Sequence, residues 1–80
     1  MSVKDAVALR FQLLCQEQNM KLNELANRSG VTPSTVYSLM DRRRRDVSLL
    51  TVKKLCDGLG LSLGDFFSAP LFEDLEQELR

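Results

Sequence analysis

Residues 22–40 read LNELANRSGVTPSTVYSLM, and they predict two short helices joined by a tight turn. Ala26 lies on the inner face of the first of these helices and is small enough for a second backbone to approach closely. Gly30 follows the last turn, where a left-handed backbone costs glycine least. Thr32 then caps the next helix, and Pro33 occupies its first position, where a missing N–H is no loss. The segment therefore predicts two helices that cross at a steep angle.

Helical patterns continue on both sides of this pair, and no stretch shows the strict alternation that a half-buried strand requires. A first helix is predicted to begin at Ser2 in a capping box and to run to about Asn19. A fourth helix begins after its cap at Ser48 and ends at Gly60. A short fifth helix with its own capping box follows over 62–67.

The composition of the 80 residues excludes several classes of function. The chain has no His, which removes imidazole acid–base catalysis, and its two cysteines are too few for a four-cysteine zinc site. Cys15 and Cys56 are therefore predicted to be small core or boundary residues. No apolar run approaches the roughly 20 residues that span a bilayer, and charges interrupt positions 1–20 where a signal peptide would lie. We expect a cytoplasmic protein without catalytic activity, metal, cofactor or membrane contact.

The net charge is zero, but the charges are unevenly distributed along the sequence. Residues 1–64 hold ten basic and six acidic side chains, whereas residues 65–80 hold five acidic side chains and Arg80. The basic part includes the run Arg42–Arg45, which directly follows the helix pair. A neutral total therefore does not exclude a polyanionic partner, because the basic charges are concentrated in one part of the chain.

The segment over 22–40, followed by SLLTVKKLCDGLGLSLGDFF over 48–67, resembles the Cro/C1-type (xenobiotic-response-element) helix-turn-helix domains of phage and bacterial regulators. The resemblance covers residues 5–68. It implies an all-α, five-helix lambda-repressor-like domain with the helix-turn-helix at its second and third helices. It also implies a sequence-specific transcriptional regulator, a repressor, whose third helix enters the major groove of double-stranded DNA, usually as a homodimer.

The resemblance also implies where DNA would be contacted. The cap and first outward turn of the third helix face the bases, and the start of the second helix meets a phosphate. The arginine run follows the recognition helix beside the backbone, although a charge run of this kind is also compatible with a solvated loop. The predicted DNA-binding residues are Lys21, Thr32, Pro33, Ser34, Tyr37, Ser38, Arg42, Arg43, Arg44 and Arg45.

Residues 70–80 form a second predicted unit after a domain that covers residues 1–69. Pro70 breaks the chain, and residues 71–79 predict a short acidic sixth helix with an apolar side. We expect this helix to cover Leu9 and Leu13 on the first helix or to join a dimer interface. Two alternatives stay open: an antitoxin whose C-terminal residues 70–80 bind a protein partner, and an interaction module of the same fold that has lost DNA binding.

Overall fold

The computed structural model describes residues 1–79, and within them it contains five α-helices, one 3₁₀ turn and no strand. This all-helical architecture agrees with the sequence prediction, although the first helix ends two residues before Asn19. The helices are α1 (Val3–Glu17), α2 (Leu22–Ser29), α3 (Pro33–Met40), α4 (Leu49–Leu59) and α5 (Leu63–Phe67), and the 3₁₀ turn covers Pro70–Phe72. None of the described helices has the length and apolar character that crossing a membrane requires.

Local side chains set where the helices begin and end. Gly30 and Gly60 end α2 and α4 in the left-handed conformation, with φ of 69° and 70°, as predicted. Asn19 adopts the same conformation after α1, with φ of 53°, because Asn tolerates it better than most other residues. At the opposite ends, four hydroxyls each accept a hydrogen bond from the N–H three residues later. These hydroxyls belong to Ser2, Thr32, Ser48 and Ser62.

The hydrophobic core lies where all five helices meet. Phe11 of α1 packs against Phe66 of α5 with ring centroids 4.4 Å apart, and both rings are fully buried. Cys15 and Cys56 are buried free thiols in the same cluster, and burial raises the pKa of each. The prediction that the cysteines are core residues is therefore confirmed. The inner faces of the other helices contribute Leu25, Ala26, Val36, Leu39, Val52 and Leu55.

Helices α2 and α4 pack closely at Gly58. A Cβ atom at this position would overlap the Oγ of Ser29 and lie 3.2 Å from the Ser29 Cα. The Ser29 hydroxyl is buried and has no hydrogen-bond partner among the residues that the structure describes. The contact fixes α2 on α4, and α2 in turn carries the turn that leads into α3.

The sixth helix predicted over 71–79 is wrong. Only Pro70–Phe72 forms a single 3₁₀ turn, and the following residues are irregular. An isolated helix of nine residues is marginal in water, and here repeated like charges oppose it. The segment is held by tertiary contacts instead: Phe72 packs 5.0 Å from the Phe67 ring, and the Glu76 N–H donates to the Met1 carbonyl at 3.1 Å.

The expected cover on α1 is also only partial. Leu9 is half-buried and lies in a cleft that Glu76 also lines. Leu13 remains 39% exposed, so the expectation that the C-terminal segment covers it is wrong. The predicted helix would have offered a continuous apolar side, whereas the irregular segment contacts α1 through the 3₁₀ turn and through Glu78, whose Oε2 accepts from the Val3 N–H at 3.4 Å.

Candidate nucleic-acid interface

The N-terminal end of α3 presents a cluster of hydroxyls to solvent. Thr32 Oγ1 accepts from the Thr35 N–H and lies 3.0 Å from Ser34 Oγ and 2.9 Å from Thr35 Oγ1. Pro33 stands beside them at the first helical position and is also exposed. Val36, on the opposite face, is buried in the core and fixes the orientation of the helix. Because a hydroxyl both donates and accepts, this end of α3 can adapt to several base edges.

Tyr37 links α3 to the start of α2. Its side chain is 54% exposed, and its hydroxyl donates to Asn23 Oδ1 at 2.9 Å. The bond occupies the amide oxygen and leaves the Asn23 NH₂ group available to donate to a ligand. Asn23 was missed by the sequence analysis, because only its contact with Tyr37, fourteen residues away, distinguishes it from other exposed polar side chains.

Lys21 lies in the same cleft as Tyr37 and Asn23, between the end of α1 and the start of α2. It occupies the N-cap position of α2 but makes no side-chain capping bond. The first N–H groups of α2 therefore have no side-chain cap from Lys21, which is itself exposed. Both contributions are positive, so this end of α2 favours a negatively charged ligand such as a phosphate.

The four arginines after α3 do not point to one place. Arg42 lines a cleft that also contains Met40 and Glu76, on the side of the C-terminal segment. Arg44 lines a cleft between α3 and α4 that Ser38 and Asp46 also line. The hydroxyls of Ser48 and Thr51 at the start of α4 line this second cleft as well. Arg45 points to a third place, an apolar groove beside α1 and α5.

Arg43 is held by Asp41, the residue that ends α3. The Asp41 carboxylate accepts from the Arg43 backbone N–H at 3.0 Å and from Arg43 Nε and Nη2 at 3.1 Å each. These bonds lower the pKa of Asp41 to about 2. Arg43 nevertheless remains exposed, so the pair forms a closed ring on the surface rather than a buried ion pair.

Lys4 of α1 is hydrogen-bonded to the C-terminal end of α3. Its side chain is only 3% exposed, and Nζ donates to the Asp41 carbonyl oxygen at 2.6 Å. A cation at the last carbonyls of a helix also complements the helix dipole. This role of Lys4 was not predicted from the sequence, although the spacing of Lys4 from Val7 and Phe11 places it on the buried face of α1.

The structure thus brings the predicted residues together in groups. Lys21 and Tyr37 share one cleft, Thr32, Pro33 and Ser34 share the exposed end of α3, and Ser38 and Arg44 share a second cleft. The remaining arginines do not join these groups, since Arg42 and Arg45 line two other clefts and Arg43 is bonded to Asp41.

Comparison with known proteins identifies the class of this domain. Residues 10–70 match the family model of the Cro/C1-type HTH DNA-binding domain, and the chain therefore belongs to this family of helix-turn-helix DNA-binding regulators. The resemblance seen in the sequence is confirmed.

A solved structure extends the similarity to nearly the whole fold. The crystal structure of the prophage Lp1 protein 11 is similar to this chain with a TM-score of 0.82 and 29% sequence identity. The alignment covers 94% of this chain and 100% of that chain. A search of curated proteins gave no match.

Proposed function

We propose that the protein is a small sequence-specific transcriptional repressor that binds double-stranded DNA as a homodimer, with α3 in the major groove. The observation that carries this proposal is the position of the hydroxyl cluster around Thr32. It is exposed at the end of α3, while Lys21 and Arg44 provide positive charge in clefts that α3 also lines. In the proposed complex, Lys21 and Arg44 contact phosphates and position the protein on the duplex, and the side chains that face the groove read the bases.

The proposed contacts divide between bases and backbone. Thr32, Ser34 and Ser38 bond to base edges, and Tyr37 and Pro33 make apolar contact with a thymine methyl or approach the sugar–phosphate backbone. The cationic side chains contact phosphates, with Lys21 acting together with the N-terminus of α2. The cationic contacts proposed from the sequence are Lys21, Arg42, Arg43, Arg44 and Arg45.

Sequence discrimination on this surface depends on more than α3. No Asn, Gln or Arg lies between Thr32 and Met40, so the usual bidentate base contacts are absent from the recognition helix. The Asn23 amide and the shape of the groove then share the discrimination. We propose that the protein acts in the cytoplasm as a repressor by occupying its operator.

One selection experiment tests the proposal directly. Random duplex oligonucleotides are incubated with the protein, bound molecules are amplified, and the enriched sequences are aligned. We expect a two-fold-related pair of half-sites spaced by about one helical turn. Enrichment of a single half-site would contradict the homodimer, and the absence of any enriched sequence would contradict sequence-specific binding.

An antitoxin of the same fold is a second candidate. The observation that favours it is the acidic C-terminal segment, in which Leu79 is 82% exposed and available to a protein partner. Co-purification of a second chain that is lost on Leu79→Asp substitution would support this candidate. An interaction module that has lost DNA binding would give no gel shift at either low or high salt.

A further inference from the structure

An apolar groove lies beside the loop that follows α3. It is lined by Val3 of α1, Val47 of the loop, Leu49 of α4 and Phe67 of α5. Val3, Leu49 and Phe67 are 41%, 66% and 38% exposed, respectively. Side chains of this size gain stability when they leave water, and grouped apolar exposure is typical of a surface that another molecule covers.

The rim of the groove carries one positive and one negative charge side by side. Arg45 and Asp46 both line the groove, and both are exposed. Within residues 1–79, neither makes an ion pair or a side-chain hydrogen bond, although the nearby Asp41 and Arg43 pair with each other. A surface with adjacent opposite charges is complementary to itself, because a two-fold rotation places each charge against the opposite charge of the other copy.

We propose that this groove binds the same groove of a second copy of the chain, with Arg45 pairing with Asp46 of the partner subunit. The inference rests on the proposed function, since it names the surface that forms the homodimer. It also assigns Arg45 to the subunit interface in place of the phosphate contact that the sequence predicts and that the proposed function includes. The apolar side chains supply most of the affinity, because a rim ion pair alone contributes little.

The position of the groove fits a DNA-binding dimer. Lys4 also lines it and donates to the Asp41 carbonyl, so the groove is tied directly to the C-terminal end of α3. A two-fold axis through the groove therefore brings the C-terminal ends of the two α3 helices near each other. The exposed hydroxyl clusters at Thr32 then lie on the far ends, one on each side of the axis.

Two neighbouring leucines of α4 give a matched test. Leu49 and Leu50 are 66% and 63% exposed, but only Leu49 lines the groove. Sedimentation equilibrium of the full chain is expected to show a dimer of the 9.1 kDa protomer, a monomer for Leu49→Glu, and an unchanged dimer for Leu50→Glu. Circular dichroism melting checks that both variants fold. A wild-type monomer, or equal dissociation of both variants, would overturn the proposal.

A charge exchange tests the rim contact independently. Arg45→Asp and Asp46→Arg each place like charges together in the dimer, and each is expected to raise its dissociation constant by about tenfold or more. The double variant Arg45→Asp, Asp46→Arg restores opposite charges across the two-fold axis and is expected to recover most of that loss. If the free energy of dimerisation lost in the double variant equals the sum of the losses in the two single variants, the pairing of Arg45 with Asp46 of the partner subunit is refuted.

DNA binding separates this inference from the proposed function. Binding to a selected duplex with one half-site is measured for the wild type and for Leu49→Glu. A monomeric wild type that still binds DNA would overturn the groove assignment and leave DNA recognition standing. A dimer that Leu49→Glu dissociates, together with no DNA binding by either protein, would support the groove and contradict the proposed function.

Discussion

Gly58 is the residue on which the packing of α2 against α4 depends, since a Cβ there would meet the backbone and hydroxyl of Ser29. We expect Gly58→Ala to lower the free energy of unfolding by about 1–3 kcal/mol, because the two helices must separate to admit the methyl group. Urea denaturation measures the change.

Gly64 in α5 is the control for this substitution. The nearest atom to a Cβ at Gly64 is Ser62 Oγ at 3.9 Å, so Gly64→Ala meets no obstacle. It is expected to leave stability unchanged or to raise it by up to about 1 kcal/mol through helix propensity. If Gly58→Ala and Gly64→Ala lowered the free energy of unfolding equally, the close approach of α2 and α4 would not be the cause of the loss.

Asp41 gives a pH-dependent contact at the end of the recognition helix. Its folded pKa of about 2 lies below the ordinary value of 3.8, mainly because of the bonds from Arg43. A lowered pKa means that the contact is fully present above about pH 4 and is lost as the pH falls toward 2. NMR titration of the Asp41 carboxyl carbon is expected to show a midpoint near 2 in the wild type and a midpoint nearer 3.8 in Arg43→Ala. If the Asp41 midpoint stayed near 2 in Arg43→Ala, the side-chain bonds from Arg43 would not be the cause of the lowered pKa.

The recognition helix and the loop after it are expected to contribute differently to DNA binding. Arg44→Ala removes a proposed phosphate contact, so it should weaken all duplexes alike and reduce the salt slope by about 1 per bound chain. Ser34→Ala removes a proposed base contact, so it should relax preference at one base position only. Fluorescence anisotropy on the selected duplex and its single-base variants separates the two effects.

Arg28 provides the charge control for Arg44. It lies on α2 in an exposed pair with Glu24, so Arg28→Ala removes a cation that faces neither cleft. Its salt slope should match that of the wild type. If Arg28→Ala and Arg44→Ala reduce the slope equally, the effect belongs to net charge rather than to a located contact.

The C-terminal segment is held to the fold by Phe72, whose ring packs against Phe66 and Phe67. We expect Phe72→Ala to lower the free energy of unfolding by about 1–3 kcal/mol, since a half-buried aromatic ring is removed from the edge of the core. Thermal melting measures the loss. The exposed Leu79 is the control, and Leu79→Ala should melt within experimental error of the wild type. A Phe72→Ala protein as stable as that control would show that the segment adds nothing to the fold.

At the scale of the whole molecule, residues 1–64 carry the net positive charge and residues 65–80 the net negative charge, so we expect binding to DNA to depend on salt. If a dimer neutralises about 6–8 phosphates, the slope of log K against log salt should lie near −5 to −7. Gel shifts at a series of salt concentrations measure it. A slope shallower than about −2 would contradict the phosphate contacts, because each neutralised phosphate contributes about 0.9 to the slope.

The parts of the fold that the sequence predicts are those determined by neighbours along the chain. Ser48 caps α4 through a residue three positions away, and Gly30 needs only its own backbone freedom. The parts that it does not predict depend on distant contacts. Lys4 bonds to Asp41, and residues 71–79 follow Met1 and Phe67 instead of their own helical pattern. The candidate site divides in the same way, since the third-helix residues follow from the family pattern while Asn23 and the divergent arginines require the folded structure.

The two buried thiols make the folded chain resistant to alkylating reagents. Cys15 on α1 and Cys56 on α4 are sequestered, and their raised pKa keeps the reactive thiolate scarce at neutral pH. Cys56 is fully buried, so a reagent reaches it only when the core opens, whereas Cys15 also lines the cleft that contains Lys21. The modification rate of Cys56 therefore reports the opening of the native state, and the rate of Cys15 reports local opening at that cleft.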